Sequence, residues 1–168
     1  MTISMYQTSA PRFVAVLTSL SALLDRAQAH VDAKKIDPTA ILGFRLYPDM
    51  LSMTRQVQIA CDSAKGGVAR LAGVEIPKHE DNETSIAELK ERIAKTIAFI
   101  QTIKPEQIDG TEDKTIVMKL GPNEVTFKGQ QFLLNFATPN VYFHVVTAYN
   151  ILRHNGVEVG KRDFLGTM

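Results

Sequence analysis

Cysteine is almost absent. Cys61 is the only one in 168 residues, which excludes an intramolecular disulfide framework and a cysteine-rich zinc module. Excess charge is also missing. Nineteen Lys and Arg stand against 18 Asp and Glu, a formal charge of +1, whereas a nucleic-acid-binding chain carries clustered surplus cations. No nucleic-acid partner is therefore expected. Long apolar runs are lacking as well. The stretch Phe13 to Leu24 is interrupted by Thr18, Ser19 and Ser21 and flanked by Arg12 and Asp25, short of the roughly 20 apolar residues of a membrane span. Because Arg12 is the first basic residue, the charged-then-apolar pattern of a secretory leader is not found. The expectation is a cytoplasmic protein with no membrane partner.

What is present is an ordinary globular composition, 45% hydrophobic and 22% charged, in a chain the length of one domain spanning 1–168. Phe13, Leu17, Leu20, Leu24, Ala27 and Val31 step by three and four, so a helix is expected that either starts near Ser9 with Pro11 in its first turn or starts earlier and bends at Pro11, and that stops before Asp37-Pro38. Asp37 is placed to cap a short segment that opens at Pro38 and is interrupted at Gly43. A second long helix is expected from about Pro48-Asp49 to Gly73, with Met50, Met53, Val57, Ala60, Ala64, Val68 and Leu71 on one face. Gly66 and Gly67 weaken it unless a neighbour packs closely there. Ser85 and Glu88 form a capping-box pattern ahead of Ile86, Leu89, Ile93, Ile97 and Ile100, a third helix ending at Lys104-Pro105. The period then changes to two. Ile116, Met118 and Leu120, then Val125 and Phe127 after Gly121-Pro122-Asn123, predict a hairpin that must lie against the helices. A fourth long helix is expected from Thr138-Pro139, the hydroxyl as cap, to Gly156.

Few residues carry chemistry. Gly156 to Lys161 has three residues between its glycine and the Gly-Lys pair where a phosphate loop needs four. Arg162 replaces the magnesium-binding hydroxyl, and the segment follows a helix instead of preceding one, so no nucleotide site is expected. Cys61 lies mid-helix among apolar positions and reads as a small buried side chain. His30 and His154 sit near helix C-termini and His79 in a polar connection. His144 shares a helical face with Asn140, Val141, Ala148 and Ile151, so it points inward, either as a hydrogen-bonded core residue or as a metal ligand.

The stretch Arg55–Asp62, the run Phe143–Gly156 followed by Gly160–Gly166, the opening Met5-Tyr6 and the segment Arg45–Asp49 together resemble a family of uncharacterised microbial proteins, a domain of unknown function. That family is similar to the DinB/YfiT-like metalloenzyme superfamily. The resemblance implies a mainly α fold: an up-down-down-up four-helix bundle with a long crossover between its middle helices, here with a small β-hairpin between helices three and four. It also implies a homodimer and a zinc or nickel ion held by one histidine on helix two and a His-x-x-x-His pair on helix four. Carried onto this chain, the pair falls on Asn140 and His144, and Gln56 or Gln58 is the nearest polar residue on helix two. Two functions follow. One is a degenerate bundle that binds a small ligand in a polar pocket of Asn140, His144, Gln56 and Gln58, or serves as a dimeric structural module. The other is a metal- or thiol-dependent transferase or isomerase, with His144 as a ligand to the divalent transition metal. Whether the protein is an enzyme stays open at this point.

Overall fold

The computed structural model describes residues 3–166, so the outermost residues of the expected 1–168 domain lie outside it. Eight α-helical segments occur among these residues: α1 (Ala10–Lys34), α2 (Pro38–Leu42), α3 (Met53–Ala72), α4 (Ile86–Thr102), α5 (Pro105–Ile108), α6 (Gly129–Phe132), α7 (Thr138–His154) and α8 (Lys161–Leu165). Two strands, β1 (Thr115–Leu120) and β2 (Asn123–Lys128), pair antiparallel with Ile116 opposite Phe127 and Met118 opposite Val125.

The apolar stripes form the core. Phe13, Leu17, Leu20 and Leu24 of α1 are buried with Val57, Ala64 and Val68 of α3, Leu89, Ile93 and Ile100 of α4, and Val141, Val145 and Leu152 of α7. Contacts along the helices fix their directions. Phe13, near the start of α1, borders Gly67 in the last third of α3, and Lys90 at the start of α4 pairs with Asp25 in the second half of α1. Arg92 of α4 reaches Gln58 and Asp62 in the first half of α3, so α3 and α4 run parallel. Gln56 meets His144 while Gly67 meets Ala137, so α7 runs back. The order is up-down-down-up, as expected. Gly67 is where helices approach closely: a β-carbon there would stand 3.1 Å from Ala137 Cβ and 3.3 Å from Phe13 Cε2. That contact is the compensation a mid-helix glycine needs.

Parallel neighbours require a long return. The Gly73–Ser85 crossover must cover the roughly 30 Å rise of a 20-residue helix, more than a tight turn spans. Gly73 stops α3 in a left-handed conformation, and Ser85 and Glu88 make the expected capping box at α4. Between them the connection is clamped by Arg92, whose side chain is only 2% exposed. Its guanidinium bonds Asp62 at 2.8 Å on α3, and Asp81 at 2.7 Å and Glu83 at 2.9 Å on the crossover. Asp81 holds the left-handed conformation that aspartate tolerates, and it also accepts from Arg55 at 2.8 Å. Lys65, buried beside the cluster, pairs with Asp62 at 2.8 Å. Burial opposes the charge on Arg92, but Glu83, Asp62 and Asp81 outweigh it and hold the guanidinium more firmly protonated than usual.

Two helix starts differ in detail from expectation. Helix two begins at Met53 behind Ser52, leaving Met50 outside, because residues Phe44–Leu51 form a loop whose Phe44 carbonyl accepts from the Met53 amide. Helix four has its α-helical start at Thr138, as expected, but no hydroxyl cap stands there. Thr138 and Ala137 are already helical, and the chain is helical without a break from Gly129 through a π-helical turn (Leu133–Ala137) into α7. The Thr138 amide reaches back five residues to the Leu133 carbonyl, so the wider turn absorbs a proline that lacks an N–H and would otherwise crowd the preceding turn. The start at Gly129 has its own cause. A β-carbon there would overlap the Thr111 carbonyl oxygen of the loop lying across it. The hairpin packs on this turn through Phe127, 6.0 Å from Phe132 and 5.6 Å from Phe136 between ring centroids.

Arg92→Met removes the cation that α4 inserts between the crossover and α3. It is expected to cost about 3 kcal/mol in urea denaturation. Arg26→Ala, which breaks an exposed pair with Asp163, should cost under about 1 kcal/mol. The pH dependence has a definite sign. Burial pushes the Asp81 and Glu83 carboxyls up, but hydrogen bonds and attraction from Arg92, with Arg55 at Asp81 and Gln58 at Glu83, outweigh it and hold both below their usual 3.8 and 4.5. Their contribution is complete above those values and is lost as pH falls below them. The acid slope of stability should therefore be shallower in Arg92→Met than in wild type.

Candidate functional site

Helical spacing brings Asn140 and His144 to one face of α7, and α3 lies antiparallel against that face. The His144 Nδ1 atom is 2.7 Å from Gln56 Oε1 in a buried contact. Gln56 Nε2 donates to the Leu51 carbonyl at 3.1 Å, which orients the amide so that its oxygen faces the ring. An amide oxygen only accepts, so the imidazole carries its proton on Nδ1 and its lone pair on Nε2. Burial lowers the His144 pKa below the usual 6.5, so the ring is neutral at pH 7. The Phe143 ring stands edge-on to it at 5.2 Å.

Such an imidazole, oriented through Nδ1 with Nε2 left over, is half of what a metal centre needs. The other half does not assemble. Gln56 is committed to His144 and Leu51, and Asn140 Nδ2 donates to the Phe136 carbonyl at 2.6 Å. Among the described residues no three His, Cys, Asp or Glu side chains are grouped so as to hold a metal ion. One imidazole with two engaged amides does not fit a zinc or nickel centre, which takes three protein ligands of imidazole, thiolate or carboxylate type. Cys61 offers no thiolate either. Burial in the core pushes its thiol up to about 12.

The four residues expected to share a pocket divide among three environments. Gln56 and His144 touch. Asn140 lies one turn earlier on α7. Gln58 is buried on another face of α3, where it accepts from Arg55 at 2.6 Å and donates to Glu83 at 2.7 Å, as part of the crossover clamp. His79 stands beside that clamp with a buried Nδ1 that has no partner among the described residues. Burial, with the nearby Lys65 and Arg92 charges, lowers its pKa. His154 packs against Phe44 at 5.3 Å.

Asn140 instead opens onto a cleft of about 250 Å³ between α3 and the π-helical turn. Ile59, Asp62, Ser63, Gly67 and Arg70 form one wall, and Met118, Phe132, Phe136, Ala137 and Asn140 the other. The widened turn shapes this second wall, and at its end the Thr138 hydroxyl is buried without a hydrogen-bond partner among the described residues. Asp62, Ser63, Arg70 and Phe136 were not anticipated. The available signals were a proline inside a helix, which marks a local widening, and three polar residues on the flank of the α3 stripe. A larger groove of about 500 Å³ runs between α1 and α8. There Asp163 accepts from the Gly160 amide and pairs with Arg26 at 2.9 Å, so the segment after Gly160 is docked on α1.

Comparison with known proteins places this geometry. The family model for a domain of unknown function, DUF1993, matches residues 5–165. The crystal structure of a DinB family member protein from Shewanella denitrificans is 42% identical and has a TM-score of 0.88. The match covers 97% of this chain and 92% of that one. No curated protein matches the chain. No helix among the described residues is long and apolar enough to cross a membrane.

In an NMR titration, the His144 and His79 imidazoles are expected to show midpoints below 6.5. Stability should fall as pH drops through the unfolded value near 6.5, because the unfolded chain takes up those protons first. His144→Gln should remove part of that slope. A His144 midpoint above 6.5 would contradict the buried, neutral assignment.

Proposed function

The chain belongs to the DUF1993 family, and from that premise we propose that it is a small-ligand-binding bundle whose site is the cleft between α3 and the π-helical turn. The observation that carries this reading is the composition of the cleft. Asp62, Ser63, Arg70 and Asn140 converge on a space otherwise walled by Ile59, Met118, Phe132 and Phe136, the pattern of an apolar cavity with a few orienting polar groups. Its volume of about 250 Å³ lies below that of sites for drug-sized molecules and suits a compact metabolite. The alternative, a metal- or thiol-dependent transferase or isomerase, draws no support from a lone imidazole and a thiol with a pKa of about 12.

A second reading, homodimerisation, is favoured by a separate feature. Leu46, Tyr47 and Leu51 on the loop before α3, and Phe143 and Val146 one turn apart on α7, are exposed large apolar side chains. Two of them meet at one place: Leu51 and Phe143 flank the Gln56–His144 pair. A second copy would cover them.

Thermal-shift screening with small metabolites is expected to yield stabilising ligands for wild type. Ser63→Phe, which fills the cleft while retaining helical circular dichroism, should lose the shift. Equal shifts in both proteins would contradict the cleft assignment. Phe143→Asp should convert a dimer to a monomer in sedimentation, and a monomeric wild type would overturn the second reading.

A further inference from the structure

The cations of the crossover clamp are all matched. Arg92, Lys65 and Arg55 each hold a carboxylate within 2.9 Å. Arg70 is different. It is half-buried at the far end of the α3 wall, and its only hydrogen bond among the described residues runs from Nη1 to the Gly66 carbonyl at 3.0 Å, within its own helix. Burial lowers its pKa with no carboxylate offsetting the loss of solvation. A guanidinium normally stays partly buried when a carboxylate or phosphate accepts its fork of donors.

A second feature of the chain makes room for this side chain. Gly66 lacks the β-carbon that would stand 2.6 Å from Arg70 Nη1, so glycine at position 66 leaves room for the guanidinium to fold back along α3. Gly67 is explained by the close approach of α1 and the π-helical turn, but no helix packs on Gly66; its space is taken by Arg70. The acidic residue in the same cleft, Asp62, already accepts from Lys65 and Arg92, so it does not neutralise Arg70. What remains is one uncompensated positive charge at the edge of an apolar wall made by Phe132, Phe136 and Met118.

We propose that Arg70 is the anion-binding residue of this cleft and that its ligand is a small monocarboxylic acid with an apolar or aromatic body. The carboxylate takes the two-pronged guanidinium, and the body lies along the phenylalanines. This assignment rests on the cleft being the ligand site. A single charge matches a monoanion. A dianion such as phosphate would leave one charge unmatched beside Asp62 and would gain nothing from the apolar wall.

The test uses the whole chain, isothermal titration calorimetry and three probes: benzoate, its neutral isostere benzamide, and inorganic phosphate. Benzoate should bind saturably and at least tenfold more tightly than either of the others. Arg70→Gln should lower benzoate affinity at least tenfold and leave benzamide unchanged. Gly66→Ala keeps the charge and favours the helix but makes the end of Arg70 shift, so it should weaken benzoate binding by less than Arg70→Gln does. Equal affinity for benzoate and benzamide, or full benzoate affinity in Arg70→Gln, overturns the role of Arg70 while leaving the cleft as the site. Tighter binding of phosphate overturns the carboxylate assignment. Benzoate binding unchanged by Ser63→Phe removes the cleft itself, and no saturable benzoate binding by about 10 mM overturns the proposal outright.

Discussion

Parallel neighbours in a helical bundle must be joined by a connection as long as the helices, and such a connection brings few apolar side chains with which to hold itself down. Here the buried guanidinium of Arg92 does that work, gathering Asp62 from α3 and Asp81 and Glu83 from the crossover. Removing water from a charge is costly, so the arrangement is stable only with its partners in place. The consequence is a single relative position for α3, α4 and the crossover. With α4 and the crossover on one flank of α3, the other flank is left to α7, and the Gln56–His144 pair and the cleft both lie along that seam.

The seam is not uniform. Near the start of α3 it is closed by the Gln56–His144 hydrogen bond. Toward the end of α3 the two glycines thin the helix. Gly67 draws Ala137 and Phe13 close, and Gly66 leaves a seat for Arg70. Between these points the π-helical turn, which accommodates Pro139, widens the opposing helix and leaves the cleft. One insertion-like irregularity in α7 thus separates the imidazole, which is spent on a core hydrogen bond, from the open space one to two turns away, where polar and aromatic side chains face each other. A π-helical turn at a functional site is a recurring arrangement.

The regular parts of this architecture were legible in the sequence because they obey local rules. The three-and-four stripes of α1, α3, α4 and α7, the Ser85–Glu88 capping box, the Gly73 and Gly156 stops and the two-residue period of the hairpin each follow from spacing alone. The resemblance to the DinB-like superfamily agrees with the solved relative from Shewanella denitrificans. What misled was a local signal with two meanings. Thr138-Pro139 is a good cap followed by a first-turn proline, and equally a proline inside a longer helix; the Thr138 amide bond to the Leu133 carbonyl decides for the second. The inward direction of His144 was readable from its helical face, but its partner was not. Gln56 and Gln58 lie about 200° apart around a helix, so only one could meet it. Arg70 escaped notice because its significance is an absence, the carboxylate that Arg92, Lys65 and Arg55 each possess.

The account turns on where a small carboxylate sits on this protein. Chemical-shift mapping of benzoate on uniformly ¹⁵N-labelled protein locates it directly. Amides of Ile59–Arg70, Met118 and Phe132–Asn140 are predicted to move together along one saturating curve, while those of the crossover around Asp81–Glu83 and of α8 stay still. Perturbations centred on the α1–α8 groove, or scattered without saturation over the surface, would contradict it.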